Sequence, residues 1–437
     1  MTNPSSKRRM SPRARFASAV AKAATWASRA SGRGAGGMIG GLIAQKLDPG
    51  ILGQLGGGRP AVIVTGTNGK STTTRMLAAA LRAAGQSVAT NDGGDNMDAG
   101  VISALMASPG ADSLVLEVDE LHVAHISADL KPRALVLLNL SRDQLDRVGE
   151  INKIEASLRA AVDANPQATI VANCDDPLIA SAAWDARNVV WVSAGGGWTN
   201  DATSCPRTGG PIIRDGDDWH AVKPLADGSR FARPTPAWRI GADGVATPYG
   251  STLPMNLKLP GDANRGNATL AMAAAVEMGA EAIDALGAVE QVDSVAGRYS
   301  TISVGDHEVR MLLAKNPAGW QEALSMVDRS ADAVVIAVNG HVADGEDLSW
   351  LWDVKFEDFG GMHVVASGER GTDLAVRLLY AGIEHELVSD PLQGINACPA
   401  GRVEVLANYT AFRDLKKAIE RTGKTTPEKN GNEGRRA

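Results

Sequence analysis

The sequence predicts an α/β protein in which a domain built on a mainly parallel sheet, with a phosphate-gripping loop, precedes a second, smaller α/β domain. Three observations predict this. From Arg59 onward, short β-branched runs alternate with Ala-rich stretches of helical period, the rhythm of strands joined by crossover helices. One run, Val62-Ile63-Val64, passes through a glycine turn straight into a helical pattern at Ser71. The alternation lapses at Val292–Arg298 and resumes at His307–Leu313, which divides the chain.

The 437 residues suit two or three domains at about 150 residues each. With 44% hydrophobic and 22% charged residues, the composition excludes disordered, collagenous and heptad-rod classes. No apolar run reaches the roughly 18–20 residues of a membrane helix; Ala134–Leu138 is among the most apolar and is short.

Residues 1–48 form a basic extension. Its first 46 residues carry nine Lys and Arg and no acid against a net charge of −6 for the whole chain, so the remainder is acidic and no nucleic-acid partner is expected. Three readings fit the extension: a transit peptide, a basic helix on anionic lipid, and a solvated segment that packs on its own protein. The last is preferred, because the polar face of Phe16–Ala30 is thin and Gly32–Gly41 is expected to break the helix.

The central domain, residues 49–295, runs through Ala61–Val64, Ser71–Ala84, Ser87–Ala89, Met97–Ala107, Ser113–Glu117, Arg133–Leu138, Ile151–Asp163 and Thr169–Ala172. Between about 195 and 250 Gly, Asp, Pro and Trp dominate, which predicts an irregular insertion; a helix returns at Asn264–Met278. The second domain, residues 296–422, repeats the alternation in His307–Leu313, Gly319–Val327, Ala331–Val338, His363–Ala366, Thr372–Leu379 and Arg402–Leu406. The tail 423–437 has almost nothing apolar and is expected to be disordered.

Thr65-Gly66-Thr67-Asn68-Gly69-Lys70-Ser71-Thr72 carries the chemistry. The glycines let successive N–H groups and the following helix N-terminus hold phosphate oxygens. Lys70 would neutralise the terminal phosphates of a nucleotide and Ser71 would ligate Mg²⁺. The strict pattern wants glycine where Val64 stands, and no Asn-Lys-x-Asp guanine signature follows. Glu117, closing an apolar strand, is placed to present a carboxylate at the ligand crevice. Asn139 and Asp143 follow the next strand to the same rim. Asp175-Asp176-Pro177 reads as a helix-opening turn.

Cys174, Cys205 and Cys398 lie far apart without a CxxC pair. That gives no disulfide framework, no four-thiolate zinc site and no nucleophile turn, and it suits a reducing cytoplasm. His122 and His125 follow Glu120 on a helical pattern and read as surface or packing residues.

The loop Thr65–Thr72 resembles the ATP loop of the Mur ligase family, enzymes that join amino acids to peptidoglycan precursors. Asn91–Met97, Leu116–Glu120, Asn139–Arg147 and Lys315–Gly319 resemble its MurT branch, over roughly residues 30–422. The resemblance implies a Mur-ligase-like central domain that uses ATP and Mg²⁺. It also implies amidation of the D-glutamate α-carboxyl of the lipid II stem peptide, with ammonia from a GatD-type glutamine amidotransferase.

By the same resemblance Glu117 helps place Mg²⁺ together with Ser71, and Arg298 lies near the nucleotide from the interdomain linker. Asn264 and Asn267 match an adenine-contacting segment, although either could equally be a helix cap. Ser349-Trp-Leu-Trp-Asp353 matches a Trp-Asp motif whose acid completes the partner's Cys-His pair; an acid on the base histidine fixes its tautomer. Asp353 is the choice, with Asp347 and Asp358 as neighbours. Gln144 replaces the histidine of the wider family. The insertion reads Cys205-Pro-Arg-Thr208 where many MurT proteins carry zinc cysteines, so no structural zinc is expected, with Trp198, Trp219 and Trp238 packing in its place. The competing readings are a stand-alone Mur or folylpolyglutamate-type amino-acid ligase and a nucleotide-responsive binding module.

Overall fold

A computed structural model describes residues 10–30, 37–91, 95–142, 150–195, 201–293, 299–341, 344–345, 347–357, 359 and 361–424. The chain divides into two compact units, Met1–Ala296 and Gly297–Ala437.

In the first unit β1 (Ala61–Thr65), β2 (Val88–Thr90), β3 (Ser113–Glu117), β4 (Ala134–Leu137), β5 (Thr169–Asn173) and β6 (Val189–Ser193) pair in parallel. β7 (Ile212–Asp215) and β8 (Asp218–Ala221) form a separate hairpin. β9 (Trp238–Gly241) continues the main sheet in parallel from β6, and β10 (Gly244–Ala246) and β11 (Thr252–Leu253) follow antiparallel. The spatial order is β11-β10-β9-β6-β5-β4-β1-β3-β2.

Every residue of β1, β3 and β4 is buried, which is why these strands read as unbroken apolar runs: helices cover both faces of a parallel sheet. β1 lies between β3 and β4, so chain order reverses there and a crevice opens at the strand carboxyl ends. The α/β expectation holds.

Two expectations change. The insertion is not wholly irregular, because β9–β11 extend the main sheet; with only four, three and two residues they are too short to show a period. The Gly32–Gly41 stretch does not break helical structure throughout. Its second half starts the helix Gly37–Leu47, whose glycines allow close packing: a Cβ at Gly40 would clash with Thr25 Oγ1 and one at Gly41 with the Ala99 carbonyl oxygen. The helix Pro12–Ala30 buries Ala14, Ala17 and Ala21 in the same core as Ile63, Leu116 and Leu135, so this segment folds against its own protein.

The second unit holds β12 (Tyr299–Val304), β13 (His307–Leu313), β14 (Ala333–Ala337), β15 (His363–Ser367), β16 (Glu386–Leu387) and β17 (Gly401–Ala407). Their order is β12-β13-β17-β14-β15-β16, all neighbours parallel except β12 and β13. Asn316 opens the helix Pro317–Met326 by accepting the Gly319 N–H at 2.8 Å. Residues 294–298, with Arg298, and residues 425–437 of the tail lie outside the described residues, as do Asp143, Gln144, Trp198 and Asp358.

Candidate active site

The phosphate loop begins where β1 ends. Thr65 is the last strand residue, and the chain turns through Gly66 and Gly69, with φ of 135° and 84°, into the helix Lys70–Ala83. Both glycines are required. Their backbone is left-handed, and a Cβ on Gly66 would meet Asn139 N at 2.9 Å and one on Gly69 Asn267 Oδ1 at 2.5 Å. No side chain caps the helix, so its first-turn N–H groups are donors for an anion. Lys70, Ser71 and Thr72 are all buried in that turn.

The segment after β4 clamps the loop. The Thr67 N–H donates to the Asn139 carbonyl at 2.9 Å, the Asn68 N–H to Asn139 Oδ1 at 2.9 Å, and Asn139 Nδ2 returns to the Asn68 carbonyl at 3.1 Å. The Ser141 N–H donates to Thr67 Oγ1 at 3.0 Å. Asp176 fixes the clamp from behind: one carboxylate oxygen accepts the Leu140 N–H at 2.7 Å, and the other caps the helix Pro177–Ala183 through Leu178 and Ile179. The helix-opening reading of Asp175-Asp176-Pro177 therefore holds for Asp176. Burial pushes its carboxyl up to about 6, against the pull of those three N–H bonds.

Lys70 Nζ donates to the Gly66 carbonyl at 2.6 Å and pairs with Glu120 Oε2 at 3.2 Å. Glu120 is a site residue that the sequence reading quoted in a motif without assigning; its only local signal is an acid just past a strand end. Glu117 closes β3 opposite Val64 of β1. Its backbone is held by Asn91 through two 2.8 Å bonds, and the residue is 1% exposed. Glu117 Oε2 is buried without a hydrogen-bond partner among the described residues. Such an oxygen is costly unless a cation meets it, so the residues here fit a divalent metal beside the loop.

Asn267 packs against Gly69, and Asn264 Nδ2 donates to the Pro260 carbonyl at 2.6 Å. The helix-cap alternative for these amides is corrected: Gly261, at φ 93°, is the N-cap of the helix Asp262–Glu277. His122 and His125 both bond Asp98, at 3.0 and 2.8 Å.

In the insertion, Cys205 is buried with Ala180, Trp219, Ala221 and Phe231. Trp219 points into that cluster, so its strand neighbour His220 projects to the opposite face of the hairpin. The two potential ligands do not converge, and the residues do not fit a zinc cluster. An ion pair ties the insertion to the sheet instead: Arg233 Nη2 lies 2.7 Å from Asp175 Oδ1, with both side chains buried. Asp175 Oδ2 also accepts from Ser193 and from the Gly195 N–H.

In the second unit Asp353 ends the short 3₁₀ turn Ser349–Trp352 and is exposed. Trp350 stacks inward on Trp320 at 5.3 Å, whereas Trp352 is 56% exposed and meets Tyr380 edge-on. Arg377 braces the turn, donating to the carbonyls of Leu351 and Val354 at 3.1 and 2.7 Å. The neighbour Asp347 is committed elsewhere: it accepts the Ser349 N–H at 2.8 Å, a bond that holds its carboxyl below the usual range.

The Mur ligase middle domain matches residues 64–275 and the MurT ligase C-terminal domain residues 313–412. The chain is 29% identical to the lipid II isoglutaminyl synthase (glutamine-hydrolyzing) subunit MurT of Streptococcus pneumoniae, covering 87% of this chain and 92% of the relative. It is 27% identical to that of Staphylococcus aureus (strain COL), covering 92% and 97%. The resemblance to the MurT branch of the Mur ligase family therefore holds along nearly the whole chain.

Solved structures agree on the fold. A pseudomurein peptide ligase type C from Methanothermus fervidus superposes with a TM-score of 0.64 at 17% identity, covering 83% of this chain and 79% of that one. MurF from Acinetobacter baumannii gives 0.62 at 16% identity, covering 88% and 80%. The Mur ligase middle domain and the MurT relatives that the chain matches support a ligase. Among the described residues no helix is long and apolar enough to cross a membrane.

Proposed function

We propose that this chain is the ATP-using subunit of a two-subunit synthase that amidates the D-glutamate α-carboxyl of the lipid II stem peptide to D-isoglutamine, acting in the cytoplasm with ammonia from a GatD-type glutaminase. The observation that carries the reading is Glu117 Oε2, a buried acceptor without a partner among the described residues, at the strand end beside the phosphate loop. It is supported by the names of the two MurT relatives.

Thr65, Gly66, Thr67, Asn68, Gly69, Lys70, Ser71 and Thr72 hold the triphosphate, the backbone N–H groups and the Lys70 ammonium offsetting its charge. Ser71 and Glu117 hold Mg²⁺, which when bound supplies further charge compensation. Asn264 and Asn267 face the adenine side. A carboxylate resists nucleophiles. Its oxygen therefore attacks the γ-phosphorus and expels ADP; ammonia then adds to the acyl carbon, phosphate leaves, and a proton is lost to give the amide.

Asp353 serves the other reaction. Exposed on a turn that Arg377 braces, it bonds the partner glutaminase's histidine and stabilises the imidazolium formed as the cysteine is activated. This favours the synthase over a stand-alone amino-acid ligase, which has no use for such an acid.

The test mixes the chain with the glutaminase, ATP, glutamine and lipid II and weighs the product. Amidation that needs both proteins is expected; ATP hydrolysis that follows an added amino acid without the glutaminase would favour the stand-alone ligase.

A further inference from the structure

We propose that the outward face of the N-terminal helix pair docks flat on an anionic lipid surface. The helix Pro12–Ala30 is apolar on two opposite faces. One, marked by Ala14, Ala17 and Ala21, is buried in the core. The other carries Phe16, Ala19, Ala23, Trp26 and Ala27, all exposed, at offsets of three, seven, ten and eleven residues that a 3.6-residue period gathers on one side. A helix that only needed to pack inward would turn polar residues to water here. Instead Phe16 is 63% and Trp26 74% exposed.

Charge selects the occupant. Arg15 and Lys22, seven residues apart and both exposed, line one edge of the stripe, and the first 46 residues contain no acid to neutralise them. The paired helix Gly37–Leu47 adds Ile39, Leu42 and Lys46, exposed at offsets of three and seven residues. Phe16 and Trp26 are about 15 Å apart along the helix axis. The result is a long, shallow apolar strip edged with cations, the form that rests in the headgroup layer of an acidic bilayer, where tryptophan is favoured. A protein partner would need a matching acidic groove; a bilayer needs only negative charge.

This inference is independent of the proposed amidation and of nucleotide binding. The test is flotation of the full chain with vesicles of phosphatidylcholine alone or with about one third phosphatidylglycerol, at low and high salt. The chain is expected to float with the acidic vesicles and not with the neutral ones, and to be released as salt rises. Two double variants, Phe16→Ser with Trp26→Ser and Arg15→Glu with Lys22→Glu, should each reduce the bound fraction at least about tenfold. Their thermal midpoints should be unchanged, since the four side chains are exposed. Failure of the wild type to float, or flotation of both variants to the same extent as the wild type, overturns the proposal. So does light scattering that finds a wild-type dimer, split by the variants, without vesicle binding, because the face would then belong to a second copy of this chain.

Discussion

The ammonium of Lys70 meets the carboxylate of Glu120 at 3.2 Å, with both side chains nearly sealed from water. A cation held so by an acid and by loop carbonyls is neutralised before any phosphate arrives. Removing the acid should therefore be severe without nucleotide and milder with it. Glu120→Ala is expected to lose about 3–5 kcal/mol of stability by denaturant unfolding, the penalty of stranding a buried charge. Saturating ATP should restore part of the loss. A change below about 1 kcal/mol would show that Lys70 finds another partner.

Glu117→Gln should act in the opposite sense on stability. The substitution keeps the shape and replaces a buried carboxyl whose Oε2 has no hydrogen-bond partner among the described residues, so the thermal midpoint without nucleotide is expected to hold or rise. Turnover should fall at least about 100-fold through the lost metal contact. If turnover survives at near wild-type rates, Glu117 does not hold the metal.

Asp353→Asn should separate the two half-reactions. With glutamine as nitrogen source, amidation is expected to vanish; with ammonium it should stay within about threefold of wild type. Equal loss of both would remove Asp353 from the glutaminase.

Arg233→Met tests how the insertion is fastened. With the pair to Asp175 broken and a buried carboxylate left behind, about 3–5 kcal/mol of stability should be lost. A strong zinc chelator should leave the wild-type unfolding curve unmoved, whereas a shifted midpoint would reveal a metal clamp.

The thiols predict a pH dependence. Burial pushes Cys174 up to about 12 and Cys398 up to about 11 from an ordinary value of 9.0. Above pH 9 the unfolded chain ionises these thiols while the native chain keeps its protons, so the native state binds more protons and stability falls as pH rises. For Cys174 the slope is about 1.4 kcal/mol per pH unit between 9 and 12. Cys174→Ala should flatten the alkaline limb of a stability-against-pH curve, and native protein should resist thiol reagents that label all three cysteines once unfolded.

What the sequence made legible follows from the range of the forces involved. β1, the glycine turn and the helix at Lys70 are contiguous, and burial on both faces leaves an unbroken apolar run that can be seen without a fold. The clamp could not be seen, because Asn139 and Ser141 reach the loop across 71 and 74 residues, and nothing local to either marks the contact. Glu120 was hidden for the same reason: its partner lies 50 residues away. In the insertion, Trp219 packs beside Cys205 and β9–β11 lengthen the sheet, both consequences of tertiary packing that override Gly- and Asp-rich composition. Asn264 and Asn267 looked like possible caps only because a glycine, Gly261, could not be foreseen at the left-handed cap position.

Two adjacent aspartates hold different parts of the first unit. Asp175 grips Arg233 of the insertion while Asp176, one peptide bond further on, carries the segment that pins the phosphate loop. The insertion and the clamp on the phosphate loop are therefore moored to neighbouring residues of a single turn after β5.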